Sequence, residues 1–306
     1  MNNPAFFSII IPTYNRADLI LKTINSVLQQ TFIDYEIIVV DNRSTDNTKD
    51  VLAPYIEAGK IKFIRHDKNY ERAKSRNTGM ENAIGKFVTF LDSDDLMYKD
   101  NLKDAYSFIQ THPQYHIFHN LYELIDENSL VLYKYRYPSI KHPLKTIASG
   151  NFFSCIGVFI SSEIYKKFRF DTTIELQGIE DWEFWMRILA DYVPGRINKI
   201  NSGIVHHQGR STTNYDIENY LKKKDYVLNK LKNNSHLRSR YGKYFHLFNA
   251  SCYLLTASLA NSNGLFNYSR KFCLKAFLIQ PGLLFNFRFL RITQKALLKI
   301  KHQKNI

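Results

Sequence analysis

Apolar positions near the start of the chain fall in unbroken runs. Residues 6–11 and 36–40 are continuous and rich in β-branched side chains, the pattern of strands in a parallel sheet covered by helices on both faces. Between them Leu19, Ile20, Ile24, Val27 and Leu28 recur at helical spacing behind Asp18. A second helix is predicted over 45–58, where Ser44-Thr45-Asp46 supplies short polar side chains suited to a cap. Residues 60–64 read as a third strand, 71–84 as a third helix and 87–91 as a fourth strand running into Asp92-Ser93-Asp94-Asp95. Strand and helix thus alternate four times. That alternation predicts an open α/β sheet with its ligand crevice beyond the carboxyl ends of the strands. Asp41 closes the second strand and the 92–95 run closes the fourth, so both are expected at one crevice.

Beyond residue 115 the pattern is mixed. Short aromatic strands are predicted over 115–119, 130–137 and 156–160, a helix over 181–190, and a short apolar strand at Ile204-Val205. From 220 onward the chain reads as helices, broken at 261–264 and at Gln280-Pro281-Gly282. No internal repeat or low-complexity tract interrupts this order. The expectation is an α/β domain over 1–215 followed by a helical region over 216–306.

Charge divides the chain at nearly the same place. The net charge is +14, yet residues 221–306 hold 17 Lys+Arg against a single acid, Asp225, while residues 1–220 carry −2. A polyanionic partner would therefore meet the tail. Residues 244–269 contain no Lys, Arg, Asp or Glu, but Asn249, Ser251, Thr256, Ser258 and Asn261 make them too polar for a membrane span. A packed helix is expected there. Over 270–300 basic residues alternate with Phe and Leu, a composition that suits an anionic membrane surface; the plainer reading is a solvated appendage or a dimer contact. No nucleic-acid reader motif is present, so nucleic acid is not an expected partner. The three cysteines, Cys155, Cys252 and Cys273, lack the spacing of a disulfide framework or zinc site and fit a reducing compartment. Residues 1–15 have no basic leader and their apolar run stops at Pro12, the pattern of neither a signal peptide nor a span. A cytoplasmic protein, with its tail peripheral on the inner face of the plasma membrane, is expected.

Asp92-Ser93-Asp94 places two carboxylates on one side of the backbone, as needed to hold a hard divalent cation. Such an ion neutralises a diphosphate leaving group; the plain alternative is a solvated turn. Asp41 can accept hydrogen bonds from a base or ribose, or simply shape a turn. Arg76, among Arg72 and Lys74, offers a phosphate or base contact, or a solvated helix face. Glu180-Asp181-Trp182-Glu183-Phe184-Trp185 sets two acids at a helix start, where a carboxylate can act as general base; otherwise Asp181 caps the helix and the tryptophans are core. His206-His207-Gln208-Gly209-Arg210-Ser211-Thr212 concentrates groups suited to a metal shell or a diphosphate, though paired histidines are commonly structural.

Taken in order, these motifs resemble the family 2 glycosyltransferases, inverting enzymes of the GT-A fold, over about the first 210 residues. Ser8 to Arg16 is similar to the family's opening strand and nucleotide loop, Asp41 to its base-binding aspartate, Ala73 to Gly79 to its Ala-Arg-Asn-x-Gly helix, Phe90 to Asp95 to its metal motif, and Glu180-Asp181 to its catalytic acidic pair. The resemblance implies an open mixed sheet of the GT-A type flanked by helices. It assigns donor contacts to Pro12, Thr13, Tyr14, Asn15, Asp41, Arg76, Asp92 and Ser93. It gives Asp94, Asp92 and His207 to a divalent cation, Mn2+ or Mg2+, and the base to Asp181 beside Glu180. The implied reaction moves one sugar from a nucleoside diphosphate sugar, of the UDP type, to a hydroxyl on a growing surface glycan or lipid-linked oligosaccharide. Two segments depart from the pattern: the family commonly has Asp-Asp-Gly-Ser where this chain has Asp41-Asn42-Arg43-Ser44, and glycine where Glu71 stands. The Gln-x-x-Arg-Trp motif of processive synthases is absent, which favours single-sugar transfer. The rival readings are a nucleotidyltransferase, whose Gly-rich phosphate loop is missing, and a non-catalytic membrane-bound scaffold.

Overall fold

The computed structural model describes residues 5–207 and 216–300. It opens with β1 (Phe7–Thr13), α1 (Ile20–Leu28), β2 (Tyr35–Asp41), α2 (Thr48–Glu57), β3 (Lys62–Arg65), α3 (Glu71–Glu81) and β4 (Phe87–Phe90). There follow β5 (Leu96–Met97), α4 (Asn101–Thr111), β6 (Ile117–Ile125), β7 (Val131–Lys134), α5 (Pro143–Ala148), β8 (Val158–Ser161), α6 (Ser162–Lys167), α7 (Glu180–Leu189) and β9 (Pro194–Val205). The C-terminal helices are α8 (Ile217–Asn233), α9 (Ser235–Tyr241), α10 (Phe245–Ser262), α11 (Phe266–Ile279) and α12 (Phe287–Leu297).

One mixed sheet runs β3-β2-β1-β4-β8-β6-β9-β5, with β7 beside β6. Its first four strands are parallel, and β1 is buried along its whole length, which explains its unbroken apolar sequence. The register aligns Thr13 with Asp41 and Asp41 with Arg65, so the carboxyl ends of β1, β2 and β3 finish together. Helix α3 covers this end closely. A Cβ added at Gly79 would stand 2.2 Å from Ile10 Cγ2, so a residue without a side chain lets the helix meet the strand. On the far side β4 meets β8 and β8 meets β6, both antiparallel, and β6 runs parallel to β9.

Several elements extend past their sequence expectations. The predicted strand at 115–119 is the start of the longer β6, and Ile204-Val205 is the tip of the twelve-residue β9. Its middle, Arg196 to Ile200, is polar and partly exposed, which hides a strand from an apolar-run criterion. The second helix starts at Thr48, not 45, because Ser44 and Thr45 are taken up by the β1 loop and Asp46 caps the helix through Thr48 N (3.0 Å).

Two compact units result: Met1–Tyr137 with Phe153–Gln208, and Pro138–Phe152 with Gly209–Ile306. In the second, α10 supplies Ala250, Leu254, Ala257 and Ala260 to a buried core shared with Phe272, Ala276, Phe289 and Ile292. The polar stretch expected to be a packed helix is therefore the centre of this bundle, and its buried Asn261 donates to the Ile292 carbonyl (2.9 Å). Among the described residues no helix is long and apolar enough to cross a membrane. By contrast, Phe285 is 94% and Phe287 76% exposed.

A buried histidine ties β6 to β9. His119 lies within hydrogen-bond distance of the Asn120 carbonyl through Nδ1 (3.0 Å) and accepts from Arg196 Nε at Nε2 (3.0 Å), an arrangement that requires the neutral ring. Burial, reinforced by the Arg196 charge, pushes its pKa down to about 3. A histidine whose folded value lies below its unfolded one, about 6.5, contributes stability that is full above pH 6.5 and lost as pH falls toward 3. Unfolding free energy is expected to fall by up to about 1.4 kcal/mol per pH unit below 6.5 from this residue. Thermal melts at pH 7.5 and 5.0 should show a larger loss for the wild type than for His119→Asn; equal losses would refute the assignment.

Candidate active site

The loops after β1 and β2 are stitched together. Asn15 N donates to Ser44 Oγ (2.9 Å), Thr45 N to Asn15 Oδ1 (2.8 Å), Arg16 N to Thr48 Oγ1 (3.0 Å) and Ala17 N to Asp46 Oδ2 (3.1 Å). Pro12 and Thr13 are buried at the end of β1, whereas Tyr14 is exposed. Beneath them Asp41 is fully buried; its Oδ1 accepts from Ser44 N (2.9 Å) and its Oδ2 faces Arg65 Nε at 3.3 Å. Asp41 Oδ2 and Thr13 Oγ1, neighbours in the register, are buried atoms with no hydrogen-bond partner among the described residues. Asp41 Oδ2 has the Arg65 charge opposite it, whereas an unsatisfied hydroxyl such as Thr13 Oγ1 costs about 1–3 kcal/mol, so the end of β1 holds a polar group still without a partner.

The run 92–95 turns its carboxylates in different directions. Asp92 Oδ1 accepts from Arg76 Nη2 (2.9 Å). Asp94 Oδ2 lies 3.0 Å from His207 Nε2 and 3.4 Å from Arg16 Nε. Asp95 is buried and holds β9 through Val205 N (3.0 Å), and that bond fixes the strand end from which His207 projects. Ser93 is buried between them. Gln208 and the residues up to Thr212 lie outside the described residues.

Arg76 is not on a solvated face. It is 2% exposed and spans Asp92 and Glu180, with Nη1 3.1 Å from Glu180 Oε1. Burial disfavours its charge, but Cys155, Asp92, Glu180 and Asp181 outweigh burial and raise its pKa. The Cys155 thiol is itself pushed up by burial, so at neutral pH the carboxylates supply the offset. Glu180 is buried with both oxygens engaged: Oε1 by Arg76 and, at 3.7 Å, by Arg72 Nε, and Oε2 by Gly178 N (2.6 Å). This carboxylate is committed to holding Arg76. Asp181, next in sequence and partly exposed, accepts from Trp182 N (2.7 Å). Trp182 and Trp185 are buried, the latter against Phe90, Phe153 and Phe170, so they build the core.

Contacts thus lead from Asp41 through the Asn15 loop and Arg16 to Asp94 and His207, and from Asp92 through Arg76 to Glu180 beside Asp181. Arg16, Arg65 and Asp95 are the residues of this constellation that motif reasoning leaves without a role. For Arg65 the signal is its register opposite Asp41. The two positions at which the family pattern has glycine share one property: Arg43 (φ +68°) and Glu71 (φ +69°) adopt the left-handed conformation that glycine takes freely. Each carries a backbone cost of about 1 kcal/mol. A cavity of about 160 Å³ opens beside Glu71, between the start of α3 and the 171–180 segment.

Among the described residues no three His, Cys, Asp or Glu side chains cluster as a complete metal site. Asp94 and His207 form an oxygen and nitrogen pair of the kind a divalent ion uses when substrate oxygens and water complete its shell.

Residues 8–169, more than half of the chain, match the model of Glycosyl transferase family 2, and the chain belongs to that family. It is 31% identical over 198 residues (65% of this chain, 74% of the relative) to the Escherichia coli UDP-Glc:alpha-D-GlcNAc-diphosphoundecaprenol beta-1,3-glucosyltransferase WfgD. An uncharacterised glycosyltransferase of Rickettsia conorii is 42% identical over 120 residues, covering 37% of this chain; the chain spans about a fifth of that relative's length. Among solved structures, Staphylococcus aureus TarS 1-349 in complex with UDP-GlcNAc superposes with a TM-score of 0.62 at 18% identity, covering 94% of this chain and 90% of that one. A mannosyltransferase from Pyrobaculum calidifontis in complex with GDP-Man and Mn2+ gives 0.62 at 16% identity, with coverage of 98% and 86%. The fold is GT-A.

Removing Arg76 strands two acids at once. Arg76→Met is expected to cost about 3 kcal/mol in chemical denaturation, because Glu180 is left buried without its main counter-charge. Adding Glu180→Gln should recover part of that loss. Strictly additive costs would show that the pair is not coupled.

Proposed function

We propose that the protein transfers one sugar, with inversion, from a UDP-sugar to a hydroxyl on a lipid-linked oligosaccharide or growing surface glycan. One observation carries the reading. The single run 92–95 reaches the nucleotide loop through Arg16 and the acidic pair through Arg76, so the donor and base sides share one short segment.

In this reading the base and ribose meet Pro12, Thr13, Tyr14, Asn15 and Asp41, where the Thr13 hydroxyl, without a hydrogen-bond partner among the described residues, and the Asp41 carboxylate match polar edges of a nucleotide. Arg16 and Arg76, with Asp92 and Ser93, orient the diphosphate side; Arg76 also holds Glu180, which acts as a positioning residue. A divalent cation, held by Asp94 and His207 with Asp92 nearby, would neutralise charge on the diphosphate. Asp181 takes the acceptor hydroxyl proton, the acceptor oxygen bonds to the anomeric carbon, and the bond to the diphosphate breaks on the opposite face, releasing UDP. General-base assistance of this kind contributes about 10²- to 10⁴-fold.

The diphosphoundecaprenol-linked acceptor in the name of the E. coli relative supports a carrier-lipid acceptor here. The second unit supports where it is met: exposed Phe285 and Phe287 stand among Arg288, Arg291 and Lys295, and no acid follows Asp225. Basic residues near an anionic bilayer contribute about 1 kcal/mol each. The protein then works at the cytoplasmic face of the membrane, bound peripherally.

Hydrolysis of UDP-glucose and UDP-N-acetylglucosamine, with Mn2+ and after EDTA, tests the chemistry. Asp181→Asn should keep donor affinity within about threefold and lose at least about a hundredfold in turnover, and Asp94→Ala should abolish the metal-dependent part of donor binding. Undiminished turnover in Asp181→Asn would remove that residue from the reaction. For the membrane, sedimentation with vesicles containing phosphatidylglycerol should capture the wild type and release a Phe285→Asp/Phe287→Asp variant, and capture should weaken with salt. Equal sedimentation of the two proteins would end the proposal.

A further inference from the structure

The hairpin that joins β6 to β7 is built around its turn. Asp126 N donates to the Leu130 carbonyl (2.9 Å) and Ser129 N to the Asp126 carbonyl (3.0 Å), while Asp126 Oδ1 accepts from Asn128 N (2.9 Å) and Leu130 N (2.8 Å). The Asp126 carboxylate is thus turned onto the backbone. Behind the turn β7 pairs with β6, Val131 opposite Ile125, Tyr133 opposite Leu124 and Lys134 opposite Glu123, which leaves Leu132 as the extra residue of a bulge. Rings hold the strand to the first unit: Tyr135 lies 5.1 Å from Tyr133 and 4.9 Å from Tyr122, and Tyr137 Oη donates to the Tyr122 carbonyl (2.8 Å). Tyr122 itself packs on the core.

Its apolar side chains nevertheless face outward. Leu130 is 65% exposed, and Val131, Leu132, Tyr133 and Tyr135 are exposed with it. Three consecutive exposed aliphatic residues mark a surface that something covers. Charge decides between the candidates. Lys134 and Arg136 alternate with the tyrosines, and from Asn128 to Ser162 the sequence holds four Lys or Arg, at 134, 136, 141 and 145, and no acid; Glu127 is the acid exposed at the turn. A second copy pairing edge to edge along β7 would set these cations against their own kind, which disfavours that contact. An anionic bilayer reverses the sign: aliphatic side chains enter the acyl boundary, tyrosines settle at headgroup level and the cations meet lipid phosphates. The hairpin also stands beside the site. Ile125 pairs with Val131 on one side and Val205 on the other, and its carbonyl accepts from His206 N (2.7 Å), so β7 departs where β9 delivers His207 to Asp94.

We propose that the hairpin joining β6 to β7 is a membrane contact of the first unit, with its aliphatic turn seated in the interface of an anionic bilayer. It holds the strand ends of the site near the headgroups, where a lipid-linked acceptor presents its first sugars. The role of that contact rests on the lipid-linked acceptor proposed above, and its existence is independent of the tail.

Trp182 and Trp185 are the chain's two tryptophans and both are buried, so Leu132→Trp in the full chain adds a reporter that responds to the hairpin's surroundings. With vesicles of equimolar phosphatidylcholine and phosphatidylglycerol its emission should move to the blue and be quenched by brominated acyl chains, and vesicles of phosphatidylcholine alone should produce less of either. Leu130→Ser/Leu132→Ser should weaken binding to the mixed vesicles about tenfold, by the apolar area withdrawn, without lowering the melting temperature, because both side chains are exposed in the free protein. An unshifted, unquenched reporter on vesicles that sediment the protein would overturn the proposal, as would undiminished binding by the serine variant. Light scattering that finds the wild type a dimer and the serine variant a monomer would also overturn it, since the leucines would then cover a second copy. Binding lost in Phe285→Asp/Phe287→Asp but unchanged in the serine variant sinks the hairpin contact alone, whereas failure of the wild type to bind either vesicle sinks the membrane reading as a whole.

Discussion

A guanidinium removed from water must be surrounded by negative charge, and this requirement organises the site. Arg76 is enclosed at the centre of the first unit, and the carboxylates that keep it charged come from segments 16 and 104 residues away. Neither Asp92 nor Glu180 can move without stranding the cation, so the strand-end acids and the acidic start of α7 are fixed with respect to each other. Burial of the ion pair does not of itself favour folding, since desolvation offsets most of the attraction. Its effect is to make one arrangement of distant segments much better than its alternatives.

Around that centre the sheet supplies register and the loops supply shape. Parallel pairing of β1, β2 and β3 lines up Thr13, Asp41 and Arg65; backbone bonds to Ser44, Thr48 and Asp46 then hold the loop that carries Arg16. The left-handed conformations at Arg43 and Glu71 belong to the same pattern. The turns keep the geometry glycine would give, so here the surrounding hydrogen bonds, not the residue type, fix the backbone.

The first half of the fold was legible because parallel strands buried on both faces leave unbroken apolar runs and the helices between them leave periodic ones. The strand ends followed from that alternation, and with them the placing of Asp41 and of 92–95. Legibility failed where burial is one-sided or polar, as in the exposed middle of β9. It failed also where a residue's importance lies in a partner far along the chain: nothing local in Ala73 to Gly79 distinguishes a solvated arginine from one enclosed by Asp92 and Glu180. The tryptophans of α7 take the core role that their sequence also allows: both are buried, and Trp185 packs against Phe90 of β4.

Asp95 has a consequence for how the chain tolerates change. By gripping Val205 N it lets one tetrapeptide position both Asp94 and the distant strand end that delivers His207 to it. Spacing within Asp92-Ser93-Asp94-Asp95 is therefore a mechanical linkage as well as a chemical motif. Losing one residue from it would leave acids in plenty while rotating each to its neighbour's partner, so that composition would survive and connection would not.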